Sequence, residues 1–383
     1  MMFKIPVRVR FPFPVQREIV TLALLTGLAV VLLIGVTALS RVFHAQQDAL
    51  AQRWSGRGEA DLKANRFDAA VSDFRASLRY GEDSFSSQLG LAEALIGLKR
   101  SGEASAYLVN LWAAKPENGI VNRELARIAA ANGDMPGALR YYHNAIYAIW
   151  PGNAEADRRN TRWELIKYLL SIKALAQAQS ELIALSAEIG PDVSQQVSLG
   201  QYFLKVQDDT HALAAFRLAL SVEPHLHTAM AGAGTAAFGL GDYSLAQHYL
   251  RVAAAQQSWD RESASLLDVV DQVMRLDPFR RQISDADRYR AVEGVFATAG
   301  KKLQACPAVA ASPIVPGAAQ NLGDAWKQLQ PQVNTRVLRR DQDVANRALD
   351  LSFNVERQAG SLCGSGSASD AAVLLISRLH EGS

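Results

Sequence analysis

The chain has 383 residues, of which 49% are hydrophobic and 20% charged, and its formal net charge is +2. This composition suits a folded protein with a sizeable core and excludes wholesale disorder; without a block of like charges, no nucleic-acid partner is expected. Runs of β-branched residues with a period of two are nearly absent after the first forty positions. The sequence therefore predicts an all-α fold for the soluble part.

An uncharged stretch near the N-terminus predicts one transmembrane helix. Residues 19–40 carry no charge over 22 positions, and as a helix they would be about 33 Å long, enough to cross a hydrocarbon core of about 30 Å. A cleaved signal peptide is the alternative, although its apolar region is usually about 7–15 residues long. Within the span, Ala23 and Gly27 form a small-residue pair that would let two such helices pack as a weak homo-oligomer.

The charges around this span predict its orientation. Four basic residues lie in the tail of residues 1–18, and two follow the span within fifteen positions: Lys4, Arg8, Arg10 and Arg17 before it, Arg41 and Arg53 after it. Because basic residues stay on the cytoplasmic side, we expect a single-pass protein of the inner (cytoplasmic) membrane with a cytoplasmic N-terminus. Residues 41–50 are then a juxtamembrane linker, and the rest of the chain is periplasmic.

Small and large residues recur every 34 positions between residues 51 and 260. The repeats begin at Ala51, Phe85, Gly119, Arg159, Val193 and His227, with a short insertion before the fourth. Counting each first residue as position 1, small residues at positions 8 and 20 let two antiparallel helices approach, and large ones at positions 4, 24 and 28 fill the space between pairs. Gly133 and Gly241 stand where the first helix must end and reverse, which favours a positive φ.

This pattern resembles the tetratricopeptide repeat. The residues that carry the resemblance include Gly58, Ala70 and Phe74 in the first repeat and Gly200, Ala212 and Phe216 in the fifth. The resemblance implies a right-handed α-solenoid of about six helical hairpins, with the first helices lining a concave groove. The fourth repeat departs from the pattern, because Ile166 stands at position 8. An irregular bundle of amphipathic helices is the alternative.

The chain after the repeats is predicted to be helical but not repetitive. Residues 261–305 read as capping helices that cover the last repeat, and residues 306–318, rich in proline and small residues, read as a linker. Residues 319–383 then form a small C-terminal helical subdomain. The two cysteines, Cys306 and Cys363, lie at the two ends of this region. A periplasmic location would favour a disulfide between them. Two free thiols are the alternative.

Fragments that resemble catalytic or metal-binding motifs have simpler explanations. Gly232 and Gly234 lie where repeat packing needs small residues, and no strand precedes them as a dinucleotide fingerprint requires. Asp285 and Asp341 stand at predicted helix starts, where aspartate caps a helix. His225 and His227 lack a third zinc ligand at a suitable spacing. We therefore expect no cofactor, no metal and no enzymatic activity.

The family resemblance places a set of side chains in the groove. The candidate partner-binding residues are Arg123, Arg127, Trp163, Lys167 and Gln201. Arginine and lysine beside a tryptophan predict attraction of an acidic or extended peptide, with Trp163 as an apolar anchor. A solvated face with scattered charge is the alternative. The lysine and asparagine arrangement with which relatives grip a C-terminal carboxylate is incomplete here, because no asparagine stands at position 9.

These features predict a membrane-anchored scaffold or adaptor that binds protein or peptide partners in the cell envelope. The alternative is a regulator of envelope polysaccharide or lipopolysaccharide assembly whose repeats face the cytoplasm. An enzyme with a site in the C-terminal subdomain is the third hypothesis. Protease accessibility of the repeats separates the first two.

Overall fold

A single helix, α1 (Phe13–Lys63), runs through the apolar stretch and into the first repeat. In the computed structural model it is 51 residues long, so residues 41–50, predicted as a linker, are helical. Every valine, leucine and isoleucine between Ile19 and Leu39 is at least 54% exposed. This helix is long and apolar enough to cross a membrane or to act as a signal sequence. No proline or glycine pair interrupts residues 41–50, which is why the helix continues.

The structure describes residues 13–81, 84–256, 260–314, 320–364 and 366–380, and the chain divides into two compact units. The predicted tail of residues 1–18 lies mostly outside this range. The N-terminal unit, up to Tyr168, contains α1 and then α2 (Phe67–Tyr80), α3 (Phe85–Gly97), α4 (Ser101–Ala114), α5 (Gly119–Ala131), α6 (Met135–Ile146) and most of α7 (Ala154–Ser171).

The C-terminal unit, from Leu169, begins with five helices that continue the repeats and ends with seven that do not. The first are α8 (Leu175–Ser186), α9 (Val193–Lys205), α10 (Asp209–Val222), α11 (His227–Gly239) and α12 (Tyr243–Ala255). The others are α13 (Arg261–Leu276), α14 (Asp285–Ala305), α15 (Pro307–Ala310), α16 (Leu322–Leu329), α17 (Thr335–Leu338), α18 (Gln342–Leu362) and α19 (Ala368–His380). The described residues contain no β-strand, so the predicted all-α fold of six helical hairpins is confirmed.

The same turn joins the two helices of every repeat. The residue at position 15 has a φ between 56° and 75° in all six: Asn65, Lys99, Gly133, Lys173, Gln207 and Gly241. The next residue donates its backbone N–H to the carbonyl at position 11, over 2.8–3.0 Å. This is the Schellman arrangement, which satisfies carbonyls at the end of a helix. The two glycines were predicted from the sequence; the four other residues were not.

Large side chains at position 24 pack onto glycines of neighbouring first helices. The ring of Phe74 is fully buried against Gly58 of its own repeat and Gly90 of the next. Phe216 is buried in the same way between Gly200 and Gly232. A Cβ at any of these four glycines would lie 2.3–2.9 Å from the ring. The absence of a side chain at positions 6 and 8 therefore lets consecutive hairpins stack.

The helices after the repeats share one hydrophobic core, which differs from the predicted division into capping helices, linker and subdomain. Val273 of α13, Val295 of α14, Trp326 of α16, Val355 of α18 and Ile376 of α19 belong to the same buried cluster. Within the predicted linker of residues 306–318, Cys306 and Val309 are buried in this cluster and Pro307 begins α15. Residues 315–318 lie outside the described part. Proline and small residues here begin a short helix instead of marking a boundary.

Candidate partner-binding site

The first helices of successive repeats lie side by side in the N-terminal unit. We call the surface formed by α3, α5 and α7 the first-helix face. Its charged and aromatic residues are Glu93, Arg123, Glu124, Arg127, Trp163, Glu164 and Lys167. Of the predicted site residues, Arg127 and Lys167 are exposed, while Arg123 and Trp163 are half-buried. Gln201 is exposed on α9 of the C-terminal unit, so it is not assembled with the other four in one described unit.

Arg127 is bound by two carboxylates. Its Nε and one terminal nitrogen donate to the two carboxylate oxygens of Glu164 on α7, over 2.9 and 2.5 Å. Its other terminal nitrogen donates to Glu124 on its own helix, over 2.7 Å. The hydrogen bond to Glu164 raises the pKa of the arginine further above its ordinary value. This fork geometry ties α5 to α7 and leaves Arg127 little capacity for another anion.

Arg123 is held by an aromatic ring and one carboxylate. Its guanidinium carbon lies 5.0 Å above the ring of Trp150, and its Nε lies 3.4 Å from Glu124 without a hydrogen bond. Trp150, at position 32 of repeat three, is 6% exposed and donates its indole N–H to the carbonyl of Ala145. A Cβ on Gly119 would lie 2.3 Å from this indole. The segment that follows α6 therefore positions Arg123 through a cation–π contact.

The segment that follows α6 is itself fixed by backbone hydrogen bonds. Ile149 donates its N–H to the carbonyl of Glu117 and accepts the N–H of Gly119, over 2.9 and 3.0 Å. These two bonds form an isolated parallel bridge between Ile149 and Asn118. The two bonds therefore fix the path of the chain next to Trp150.

Carboxylates on this face are more numerous and more buried than the sequence interpretation assumed. Glu124 is 4% exposed. The pKa of Glu93 is raised by burial and by the charge of Glu124, against the opposing effect of Arg123 and Arg127. Burial and the charge of Glu164 raise the pKa of Tyr142 to about 12, so its hydroxyl stays protonated at neutral pH.

The binding of a partner by Arg127 and Arg123 stays a prediction, and carboxylates of the protein itself lie beside both arginines. The two arginines face Glu124, Glu164 and Glu93, which neutralise them within the protein. Glu124 and Glu164 both stand at position 6 of their repeats, next to the positions read as groove-lining. The recurrence of glutamate at position 6 could have predicted these ion pairs from the sequence, because position 6 of one repeat lies near position 9 of the preceding repeat.

The sequence of the first three repeats matches a family model. The model described as the tetratricopeptide repeat matches residues 55–108 and 98–154. These ranges contain Gly58 and Phe74, which pack against each other, and Lys99 and Gly133, at which the chain turns between two helices. Residues 55–154 therefore match the tetratricopeptide-repeat family. No curated protein matches the chain.

Solved structures of several tetratricopeptide-repeat proteins are similar to the chain at low identity. YrrB, described as a TPR protein with an unusual peptide-binding site, is 16% identical, covers 48% of this chain and 91% of its own, and has a TM-score of 0.36. PilW, described as a widely conserved type IV pilus biogenesis factor, is 15% identical over 57% of this chain and 98% of its own, with a TM-score of 0.38.

A third similar structure comes from Cytophaga hutchinsonii. It is the C-terminal part of a TPR repeat-containing protein, is 12% identical, covers 83% of this chain and 98% of its own, and has a TM-score of 0.43. At these identities the similarity is one of fold.

Outside the repeats, Cys306 and Cys363 form a disulfide. It joins the C-terminal ends of α14 and α18, and the two Cα atoms are 6.4 Å apart. Cys306 is 2% exposed, whereas Cys363 is exposed. Within the described residues, no group of three or more metal-ligating side chains comes together.

Proposed function

We propose that this protein is a membrane-anchored scaffold that binds protein or peptide partners in the cell envelope. The observation that carries the proposal is the continuity of α1, whose exposed apolar part leads without a break into the first repeat. Stacked repeats offer an extended surface for partners, and the anchor confines that surface to the vicinity of one membrane.

The anchor is the stretch of residues 19–40. Its exposed side chains have no protein to pack against within the unit, and a bilayer removes that apolar surface from water. The helix then continues for residues 41–50, which at 1.5 Å per residue hold the first repeat about 15 Å from the hydrocarbon. Since residues 41–50 are helical, they form a rigid spacer. This spacer fixes the distance of repeat one from the membrane and its rotation about the helix axis.

The repeats face the periplasm in this proposal. The excess of lysine and arginine before the span keeps the N-terminus cytoplasmic. The paired Cys306 and Cys363 agree with an oxidising compartment, where disulfides persist. A cytoplasmic regulator of polysaccharide or lipopolysaccharide assembly would carry the same repeats but would keep these two thiols reduced.

The first-helix face is the proposed partner surface. Arg127, Glu124 and Glu164 hold α5 and α7 together, so they act as positioning residues for the surface on either side. Lys167 lies exposed one turn from Glu164, and Trp163 lies half-buried beside it. A partner segment would contact this ridge of α7, with the aromatic side chain as an anchor and the lysine as a rim charge.

Protease accessibility tests the location. In intact spheroplasts of a cell that expresses the full chain, added protease should remove the repeats and leave a short fragment that contains the N-terminal tail. Protection of the repeats until the membrane is lysed would contradict the periplasmic location and support the cytoplasmic regulator instead.

Site-specific photocrosslinking tests the partner surface. A photoreactive phenylalanine analogue at Lys167, on α7, should give a discrete crosslinked product in cells. The matched control is the same analogue at exposed Asn144, on the second helix α6. Mass spectrometry identifies the partner, and tagging that partner should recover the same product. Equal crosslinking from both positions would contradict a role for the first-helix face.

A further inference from the structure

A cavity of about 640 Å³ lies where the last repeat meets the C-terminal helices. Its walls are the turn that opens α12, the end of α13, the residues that follow α13 and the end of α19. This volume lies within the range of small-ligand sites, about 300–1,000 Å³. The cavity is in the C-terminal unit and is separate from the first-helix face of the N-terminal unit.

Arg280 brings an unsatisfied donor to this cavity. Its Nε is buried, and none of the described residues accepts a hydrogen bond from it. A buried donor without a partner costs about 1–3 kcal/mol, and more when the group is charged. An anionic acceptor in the cavity would remove this cost, because a guanidinium offers two parallel N–H groups to a carboxylate.

The two carboxylates of the cavity wall are engaged by the protein's own backbone. Asp277 accepts the N–H of Phe279 over 2.8 Å and lies 3.5 Å from Nε2 of His380. Asp242 caps α12 by accepting the N–H of Leu245 over 3.0 Å. Both carboxylates therefore have structural roles, and neither forms an ion pair with Arg280 in the described part of the chain.

The charges of the wall favour a ligand with a single negative charge. The ionisable groups that line the cavity are Asp242, Tyr243, Asp277, Arg280, Arg281 and His380. Burial, together with the charge of Asp277, raises the pKa of Tyr243, so its hydroxyl remains a donor. The charges of the two arginines and the two aspartates cancel. A monoanion is therefore attracted by Arg280 with little net repulsion, whereas a phosphate dianion would be repelled more strongly by both aspartates.

One side of the cavity is apolar. Val273, Met274 and Leu379 contribute to its lining beside the charged groups. A ligand that combines a carboxylate with a branched apolar group would bury that group here while the carboxylate reaches Arg280.

We propose that this cavity binds a monocarboxylate that carries an apolar side chain, with Arg280 as the residue that donates hydrogen bonds to the carboxylate. Such a group occurs in a free acylated amino acid and at the C-terminus of a peptide that ends in an apolar residue. The site is independent of the proposed anchor and of the first-helix face.

Methionine methyl NMR of the full chain in detergent micelles tests the proposal. The chain has five methionines; Met274 lines the cavity, while Met135 in α6 and Met230 in α11 do not. Titration with N-acetyl-leucine should shift the Met274 signal and leave those of Met135 and Met230 unchanged. N-acetyl-leucinamide, which lacks the charge, should produce at least tenfold weaker binding. Met274→Leu assigns the signal.

Substitutions separate the role of Arg280 from a general loss of structure. Arg280→Gln should weaken binding of N-acetyl-leucine at least tenfold, while Arg275→Gln, on the exposed side of α13, should not. Unchanged Met135 and Met230 signals show that each variant is folded. A pentapeptide ending in leucine that binds tenfold more tightly than N-acetyl-leucine would indicate a peptide ligand, and equal binding would indicate a small molecule.

Three results would overturn the proposal. They are equal shifts from the acid and the amide, undiminished binding by Arg280→Gln, and an equal response to inorganic phosphate.

Discussion

The ring of Phe74 lies so close to Gly90 of the next repeat that a Cβ on Gly90 would be 2.3 Å from its Cζ. Because Phe74 is fully buried, the ring has no space into which to retreat. The same relation holds between Phe216 and Gly232. Stacking of these repeats thus depends on a phenylalanine ring in one repeat and a glycine that faces it in the next.

Gly90→Ala should destabilise the N-terminal unit by about 1–3 kcal/mol, since the added methyl overpacks a closed junction. Gly56→Ala is the matched control: it lies in a helix of the same unit with nothing within 4 Å of its Cβ, and should be neutral or stabilising by about 0.5–1 kcal/mol. Thermal unfolding of the full chain in detergent measures both. If the two variants melt alike, the packing account of Gly90 is wrong.

The turn residues give a second prediction. Gly133 has a φ of 74° and an open space around its Cβ, so Gly133→Ala changes only the backbone. It should cost about 1–2 kcal/mol, the penalty of a left-handed conformation for an L-residue. Lys99, with a φ of 62° at the same position of repeat two, should behave oppositely: Lys99→Gly relieves that penalty. Melting temperatures that move in the same direction for both variants would contradict this.

Much of the fold could be predicted from the sequence because small and large residues recur in step. Gly58, Phe74 and their counterparts show where each repeat begins, and Gly133 marks the turn at which the chain reverses between two helices. Lys99, Lys173 and Gln207 take the same conformation without a glycine, because the hydrogen bonds of the turn and the packing of both helices stabilise it. No local preference predicts a positive φ at such residues.

The candidate site was less predictable than the fold. A residue's charge is visible in the sequence, but its partner comes from another helix. Arg127 and Glu164 are 37 positions apart and form their ion pair only when α5 and α7 stack. Likewise, Trp150 reaches Arg123 because backbone hydrogen bonds of Ile149 fix the path of the segment after α6. The core of α13 to α19 combines segments on both sides of a proline-rich stretch, which the sequence predicted as a linker.

Glu356 predicts a pH dependence of stability. It is 1% exposed on α18, one of its oxygens has no hydrogen-bond partner, and burial with the nearby charge of Asp370 raises its pKa to about 7, against the effect of Lys302. The folded state therefore binds this proton more tightly than the unfolded state. Its stabilising effect is complete below about pH 4.5, the ordinary value, and is lost as the pH rises towards 7, by about 3 kcal/mol.

Glu356→Gln should remove this component, because glutamine has no proton to lose. The stability of the wild type relative to the variant should fall between pH 4.5 and 7 and stay level above that range, as measured by thermal unfolding at matched ionic strength. A difference that rises with pH would contradict the sign, and a constant difference would contradict the raised pKa.

The disulfide gives a prediction with a chemical readout. Protein that is purified without reductant and then denatured should not react with an alkylating reagent. After reduction, it should react with two equivalents, one at Cys306 and one at Cys363. Replacing both by serine should destabilise the C-terminal unit by roughly 4 kcal/mol in the chain-entropy model, since the bridge spans 57 positions. Alkylation of both cysteines before reduction would contradict the pairing.

The central claim, an intact helix that both spans a membrane and begins the first repeat, is tested most directly by the mass of the chain in extracted membranes. After washing with alkaline carbonate, the membrane fraction should retain the chain, and its intact mass should include residues 19–40. A chain that is found in the soluble fraction and has lost these residues would contradict the account, because α1 would then be a cleaved signal sequence and the repeats would be released from the membrane.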